Sequence, residues 1–486
     1  MTKKTDNGSS TLKKWILAAI MVLVPIAVTI IEPSAMGLEG ITAIQQRMLA
    51  IFLFAALSWI FELFPAWVTS IAVIALIALT DSDSAFYFYQ HQKFPNQEAG
   101  NLLKSSNVLK SFGDPSIVLY IGGLVMAVTA SKIGLDAKLA RAILHPFGKK
   151  PANVLLGVML ATGILSMFMS DTATTALMIG MMTPVFVSMG DDTKGKASLA
   201  LSVTFAALIG GMGTPVGTPP AMLAFNAINN PNGLNLHVSF AMWMVIMIPL
   251  CFALIFLAWR VLVRMFPFSV KEVEIVFVNK ASSRRDLIIV VATYAITIFL
   301  WVTQGLTGVN NSVAALVPVV ILSIFGIFTA KELNQLPWAV LWMFAGGLAL
   351  GDGMDKVGLS SFLIDKVPFG AMSPIIILIV SALICWGLSN FISNTGTAAL
   401  MIPVLTAMAV SMGDRLAPVG GGLTIIMGIA ISASMAMSLP VSTPGNAIAY
   451  ATGHVTQKQM ARAGIVIGLI GLIIGYLFIT VASKLF

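Results

Sequence analysis

Charged side chains are scarce in this sequence. They make up 10% of its 486 residues, against 58% hydrophobic ones. A soluble domain carries about 25% charged residues, so most of this chain must lie in lipid or pack against chain that does. Cysteine is nearly absent. Cys251 and Cys385 both fall inside apolar runs, and no spacing of a disulfide framework or zinc site is present. The four histidines (His91, His145, His237 and His454) are scattered and form no ligand pair. No P-loop stands among the glycine-rich stretches, which argues against a primary pump. Paired carboxylates and nucleophile–base motifs are also missing, so nothing points to an enzyme.

The net charge of +8 does not mark a nucleic-acid surface. Lys13-Lys14, Lys149-Lys150, Lys194 with Lys196, and Arg284-Arg285 sit in short clusters between apolar runs, the pattern of the positive-inside rule. The N-terminus opens polar and basic and then runs apolar from Trp15 to Ile31. Ile31-Glu32-Pro33 makes a poor cleavage site, so this run reads as a retained first span.

What the chain has in abundance is apolar stretches of about 20 residues, the length that crosses a bilayer. They fall near 15–31, 42–63, 65–80, 115–131, 197–213, 238–265, 286–304, 312–330, 336–353, 421–438 and 463–483. Two more, 152–187 and 374–410, are too long for one span, and each is interrupted by a polar cluster, Ser170-Asp171-Thr172 or Ser393-Asn394-Thr395. Broken backbone at membrane depth survives only where protein buries it or it lines a cavity. Each stretch therefore reads as a re-entrant helical hairpin with its tip at mid-membrane. The expected fold is an all-α polytopic membrane protein. The polar segment 81–114 reads as an external or interfacial insertion.

The two halves of the chain repeat. Gly122-Gly123-Leu124 with Lys132-Ile133-Gly134-Leu135 returns as Gly346-Gly347-Leu348 with Lys356-Val357-Gly358-Leu359, an offset of 224. Ser170-Asp171-Thr172-Ala173-Thr174 returns as Ser393-Asn394-Thr395-Gly396-Thr397 at 223, and Thr218-Pro219 as Thr443-Pro444 at 225. Residues 1–41 then form a tail and first span, 42–265 the first repeat, 266–285 a cytoplasmic linker with Lys271, Lys280, Arg284 and Arg285, and 286–486 the second repeat. Lys132, Lys138, Arg141, Lys149 and Lys150 precede the first hairpin, whereas only Lys356 and Lys366 precede the second. That imbalance places the first hairpin's entry on the cytoplasmic side and the second's outside, as inverted repeats require.

Each half carries a second polar break, Gly213-Thr214-Pro215-Val216-Gly217-Thr218-Pro219-Pro220 or Ser438-Leu439-Pro440-Val441-Ser442-Thr443-Pro444-Gly445-Asn446. Proline and glycine free carbonyls that suit a hard cation such as Na⁺, and half-helix N-termini offer N–H groups that suit a carboxylate. No Arg or Lys stands at these breaks, so an anion there is held by dipoles, hydroxyls, amides and any co-bound cation. Glu62 and the pair Asp352 and Asp355 read as helix-end residues, without a basic partner that would make a proton relay.

These paired motifs, from about residue 42 to the C-terminus, resemble the divalent-anion/sodium symporter family, the INDY-type di- and tricarboxylate carriers. The resemblance implies eleven spans plus two hairpins, a homodimer in the cell (inner or plasma) membrane, and elevator movement of a transport domain. It carries the substrate site to Asp171, Thr172, Thr218, Pro219, Asn394, Thr395, Thr443 and Pro444. One sodium position falls on Ser166, Ser170, Asp171 and Gly217. The other falls on Ser389, Ile392, Asn394 and Ser442, with Ile392 offering only its carbonyl. No other cofactor is implied. Three positions depart from the family pattern: Asp171 and Ala221, where Asn is usual, and Gly445, where a second Pro is common. A carboxylate beside an anion site costs several kcal/mol unless a cation or proton neutralises it, so Asp171 either strengthens a sodium site, carries a proton, or marks an exchanger. As an N-cap residue it also has a purely structural use. The expected function is secondary transport of di- or tricarboxylates, by symport or exchange, with sulfate as the alternative cargo; a channel would not explain two closed hairpins.

Overall fold

The computed structural model describes residues 7–91, 97–231, 233–273, 283–366 and 372–485, so residues 274–282 of the expected linker, Lys280 among them, lie outside the described residues. The described chain is helical, with one isolated bridge between Ser82 and Leu103. The first half holds α1 (Asn7–Ile30), α2 (Ala43–Phe61), α3 (Ala66–Thr80), α4 (Pro115–Ile133), α5 (Leu135–Leu144), α6 (Pro151–Ser166), α7 (Asp171–Ser188), α8 (Thr193–Gly211), α9 (Pro219–Asn229) and α10 (Phe240–Met265). The second holds α11 (Arg284–Val302), α12 (Leu316–Ile324), α13 (Trp338–Lys356), α14 (Leu359–Lys366), α15 (Pro374–Phe391), α16 (Asn394–Met412), α17 (Gly421–Ser434), α18 (Pro444–Ala451) and α19 (Gln457–Ala482). Among the described residues, seven helices are long and apolar enough to cross a membrane by length and composition, and five shorter ones are apolar. This is a polytopic membrane protein.

From α2 onwards the two halves run in step, α2–α10 against α11–α19. Both interrupted stretches are hairpins, α6–α7 and α15–α16, and both later spans are broken, α8 from α9 and α17 from α18. Proline opens α4, α6, α9, α15 and α18, where its missing N–H leaves no bond unmade and its fixed φ already suits a helix. The Lys-x-Gly-Leu repeat is a helix stop: Gly134 ends α4 at φ 67° and Gly358 follows α13 at φ 73°, conformations that cost an L side chain strain. The amphipathic helices α5 and α14 start directly after these stops. Expected span 312–330 is shorter than its apolar run, because α12 ends at Ile324 and Gly326 turns the chain at φ 70°. Among its described residues, segment 81–114 holds the short α-helices Tyr87–His91 and Ser105–Leu109 and a 3-10 turn at Lys110–Gly113. It is tied to the end of α3, where Asp81 meets Arg47 of α2 in a buried ion pair at 2.7 Å.

Packing crosses the repeats. α3 lies along α13, and α12 along α4; α9 packs on α16 and α17, and α18 on α7 and α8. The Gly-Gly motif marks where these exchanges are tightest. A Cβ at Gly122 would lie 2.5 Å from the carbonyl oxygen of Ala315, and one at Gly346 would lie 2.6 Å from Cα of Ser70. Helices in lipid gain their association from such close approach of small residues. Glu62 caps the end of α2 at φ 50°, as its position implied. Asp352, by contrast, does have a basic partner: Lys356, one turn on, lies 3.0 Å away.

Because backbone rather than a flexible side chain fills the space at both crossings, Gly122→Ala and Gly346→Ala are each expected to destabilise the protein by about 1–3 kcal/mol. Thermal melting of purified protein in detergent measures this. Gly180→Ala, where no atom lies within 4 Å of the new Cβ, should melt like the unmodified chain; equal melting of all three variants would remove the crossings as a determinant of stability.

Candidate functional site

Four half-helices begin at the breaks, and each is capped by the hydroxyl residue that precedes it. Ser170 accepts from Ala173 N at 3.2 Å, and Ser393 accepts from Gly396 N at 3.1 Å. Thr218 accepts from Ala221 N at 3.4 Å, and Thr443 from Asn446 N at 3.1 Å. One cap satisfies one of the orphan N–H groups at a helix start. Pro219, Pro220 and Pro444 carry no N–H, so α9 and α18 offer a ligand mainly the dipole's partial positive charge, while the proline-free starts of α7 and α16 keep further N–H groups. In the first turn of α7, Asp171 Oδ1 accepts from Thr172 N at 2.7 Å and from Thr172 Oγ1 at 3.3 Å. Its repeat counterpart Asn394 is held differently, accepting at Oδ1 from Ser389 Oγ at 2.8 Å.

All four starts reach one cavity of about 790 Å³. Asp171, Thr172, Thr218, Pro219, Asn394, Thr395, Thr443 and Pro444, the whole set expected for the substrate, line it. Tyr120 and Lys132 of α4 complete its wall, with Lys331, Glu332 and Gln335 of the short helix region before α13. Lys331 and Gln335 are exposed, so the cavity reaches the face that carries the basic run after α4. At this mouth Lys132 Nζ pairs with Glu332 Oε1 at 2.8 Å and donates to the carbonyl of Ile327 at 2.8 Å. Burial disfavours the ionised Glu332, but the bonds from Lys132 and Thr329 outweigh it and hold the carboxyl down at about 2.

The residues expected to hold sodium divide into two kinds. Ser170, Asp171, Asn394 and Ser442 line the cavity, whereas Ser166, Ser389 and Ile392 are buried and, with Gly217, lie outside that lining. Ser166 and Gly217 do meet: a Cβ at Gly217 would lie 2.8 Å from the Ser166 carbonyl oxygen and 2.3 Å from that of Gly211. Two main-chain oxygens therefore aim at one cradle that only glycine leaves clear, a donor set that fits a hard cation. At the second position Ser389 Oγ touches Asn394 and, at 3.3 Å, the Ala433 carbonyl. Ile392 is extended at φ −120°, ψ 165°, and so leaves the α15 ladder. Ser442 is bonded inside its own break, donating to Leu439 O at 2.7 Å. Among the described residues no three His, Cys, Asp or Glu side chains converge.

Sequence reasoning missed Gly211, Tyr120, Glu332 and Asn446. Asn446 is fully buried and stitches the second break: Nδ2 donates to Leu439 O at 3.0 Å and Ser442 Oγ at 2.9 Å, and Oδ1 accepts from Thr204 Oγ1 of α8 at 2.7 Å. The signal was available, because Asn446 stands opposite Ala221 in the repeat, where the resemblance expects Asn. Gly445 also has its reason. A Cβ there would lie 3.1 Å from Thr175 Oγ1 and 3.3 Å from Thr204 Oγ1, which is tight for a proline ring. Asn446→Ala is expected to cost about 1–3 kcal/mol through the polar groups it orphans. A melting curve unchanged from the parent protein would show that the break is held by other contacts.

The family described as "Sodium:sulfate symporter transmembrane region" matches residues 12–485. A sodium-dependent dicarboxylate transporter SdcS of Staphylococcus saprophyticus is 27% identical over 466 residues, covering 88% of this chain and 84% of the relative. The SdcS of Staphylococcus aureus strain USA300 is 29% identical over 463 residues, with the same coverage of 88% and 84%. Among solved structures, the YdaH transporter of Alcanivorax borkumensis aligns with a TM-score of 0.53 at 14% identity, covering 85% of this chain and 97% of that one. MtrF of Neisseria gonorrhoeae aligns with a TM-score of 0.52 at 12% identity, covering 85% and 94%. Those two likenesses speak to the fold alone. With the match spanning nearly its whole length, the chain belongs to the sodium:sulfate symporter family of membrane carriers, also known as the divalent-anion/sodium symporters.

Proposed function

We propose that this protein is a secondary active transporter of C4-dicarboxylates or related di- and tricarboxylates in the cell membrane, working by elevator-type alternating access. The convergence of four helix starts on one cavity carries the reading. Two come from each repeat, so N–H donors and partial positive charge approach from two sides, which suits an anion with two separated carboxylates. The hydroxyls of Thr172, Thr395 and Thr443 and the amide of Asn394 add neutral hydrogen bonds. With no Arg or Lys at the breaks themselves, such an anion can also leave. Relatives named as dicarboxylate transporters support the same cargo. Sulfate, which the family description names, is the second reading. A single tetrahedral anion calls for donors closing around one centre, and a cavity of about 790 Å³ is loose for it.

The basic face is the cytoplasmic one under the positive-inside rule, so the described arrangement is open inward. On the opposite face α4, α9 and α13 line a second cavity of about 1130 Å³. There Asn226 of α9 donates to Asp114 Oδ1 at 3.1 Å and Ser116 Oγ at 2.8 Å, and Asn230 to Asp352 at 3.4 Å. Contacts of this kind would part when hairpins and broken helices move against α4 and α13. The repeat boundaries 42–265 and 286–486, the inverted insertion of the hairpins and a homodimeric assembly belong to the same proposal.

Sodium is the coupling ion that the relatives' names support. Bound at the oxygens of Ser166, Gly211 and Gly217, it would supply positive charge behind the anion. Asp171 adds a carboxylate to that neighbourhood, which either strengthens cation binding or, without a cation, favours exchange of one anion for another.

Replacing Thr172, Asn394 or Thr395 with Ala should lower transport at least tenfold in protein that remains folded in the membrane; normal uptake by all three would remove them from the site. Asp171→Asn should shift the sodium or pH dependence of uptake, and an unchanged dependence would leave Asp171 with only its bonds to Thr172 at the start of α7. The function itself is tested with labelled succinate and proteoliposomes, varying external sodium and internal succinate separately. Uptake into empty vesicles under a sodium gradient would identify a symporter, and uptake that requires internal succinate an exchanger. Transport of sulfate but of no carboxylate would overturn the proposed cargo.

A further inference from the structure

The eight anion-lining residues named above all stand on hairpins or broken helices. Tyr120 does not: it stands on α4, which packs against α12 and α13 of the other repeat. Its repeat counterpart, 224 positions on, is Phe344 of α13. The two rings meet edge to face with centroids 4.9 Å apart and planes at 75°. They stand at the boundary between the two cavities. On α4, Tyr120 and Leu124 line the cavity at the basic face, whereas Leu119 and Ser116 line the opposite one. On α13, Val340 lines the first and Leu348 the second.

Tyr120 is 1% exposed, and its hydroxyl has no hydrogen-bond partner among the described residues. Buried phenols ordinarily find one. The cavity that Tyr120 lines also holds Asp171, Thr172, Thr218 and Pro219, the first repeat's residues around two of the four helix starts. A carboxylate oxygen bound at those starts is an acceptor of the right charge for an O–H donor. Phe344 supplies the same ring at the related position but no hydroxyl.

We propose that Tyr120 is a specificity-determining residue that binds substrate from one side only: its hydroxyl donates to a carboxylate oxygen of the anion while the cavity opens on the basic face. In the opposite arrangement the pseudo-symmetric position is Phe344, which has no donor to offer. The carrier thus holds its substrate more tightly at the basic face than at the other. This rests on the carboxylate-transport reading and adds a sidedness which that reading alone does not contain.

The test is Tyr120→Phe, which removes one oxygen and keeps the ring contact. Succinate KM is measured separately at each face, with the reconstituted full chain in right-side-out and inside-out vesicles. A hydrogen bond to a charged acceptor is worth about tenfold in affinity. KM at the basic face should therefore rise about tenfold, while KM at the other face and the maximal rate stay within about twofold. Phe344→Leu loosens the same ring contact without touching the hydroxyl, and should not reproduce the one-sided rise. Unchanged KM at both faces, or an equal rise at both, overturns the role of Tyr120 while leaving the transport reading in place. Absence of any dicarboxylate transport by the parent protein overturns both.

Discussion

Backbone that leaves a helix inside a membrane must find hydrogen-bond partners within the protein, because lipid offers none. Among the described residues, the hairpins and later spans leave the helix at 167–170, 212–218, 392–393 and 435–443, and the packing around them satisfies those departures. Hydroxyl caps at Ser170, Thr218, Ser393 and Thr443 take one N–H each. Thr214 reaches from the first broken span to the Met167 carbonyl in the first hairpin, and Asn390 accepts from Ser438 N across the second pair at 2.9 Å. Each hairpin is thereby fastened to the broken span of its own repeat. The four helix starts that follow these departures border one cavity.

The swapped packing explains why that cavity is single. α9 of the first repeat lies on α16 and α17 of the second, while α18 of the second lies on α7 and α8 of the first. Neither repeat could form the site alone. The glycine crossings at Ala315 and Ser70 do the same for α4 and α13, bringing Tyr120 and Phe344 ring to ring. Duplicated halves with different residues at matched positions give two related faces that are not equivalent. Lys132 lies at the mouth of one cavity and its counterpart Lys356 at the other.

The unequal positions are where this chain departs from a symmetric design. Asn394 is bonded to Ser389, whereas Asp171 turns to the Thr172 beside it and Ser166 donates instead to the Ala207 carbonyl at 2.7 Å. Asn446 braces the second break through Thr204, and Ala221 at the matching place has no polar group to do so. The first break relies on glycine at 217, where main-chain oxygens come close enough to exclude any side chain.

The sequence alone made the membrane class, both hairpins and the later breaks legible, because each carries a local signature: an apolar run of bilayer length, a polar interruption, a repeated Thr-Pro. The eight residues that the family resemblance set at the anion site all line one cavity. The sequence also held the Lys-x-Gly-Leu helix stops and the helix-end position of Glu62, which depend only on neighbours along the chain. Asn446 was readable only through its repeat match to Ala221, whereas Gly211 and the Lys132–Glu332 pair were not legible, since their meaning lies in partners from other helices. The same holds for the cavity boundary at Tyr120, and for the division of the expected sodium residues into those that line the cavity and those that do not. Local sequence determined where the backbone breaks and which groups are left over; only tertiary packing decided which of those groups meet, because contacts between repeats follow from helix crossings that no single segment encodes.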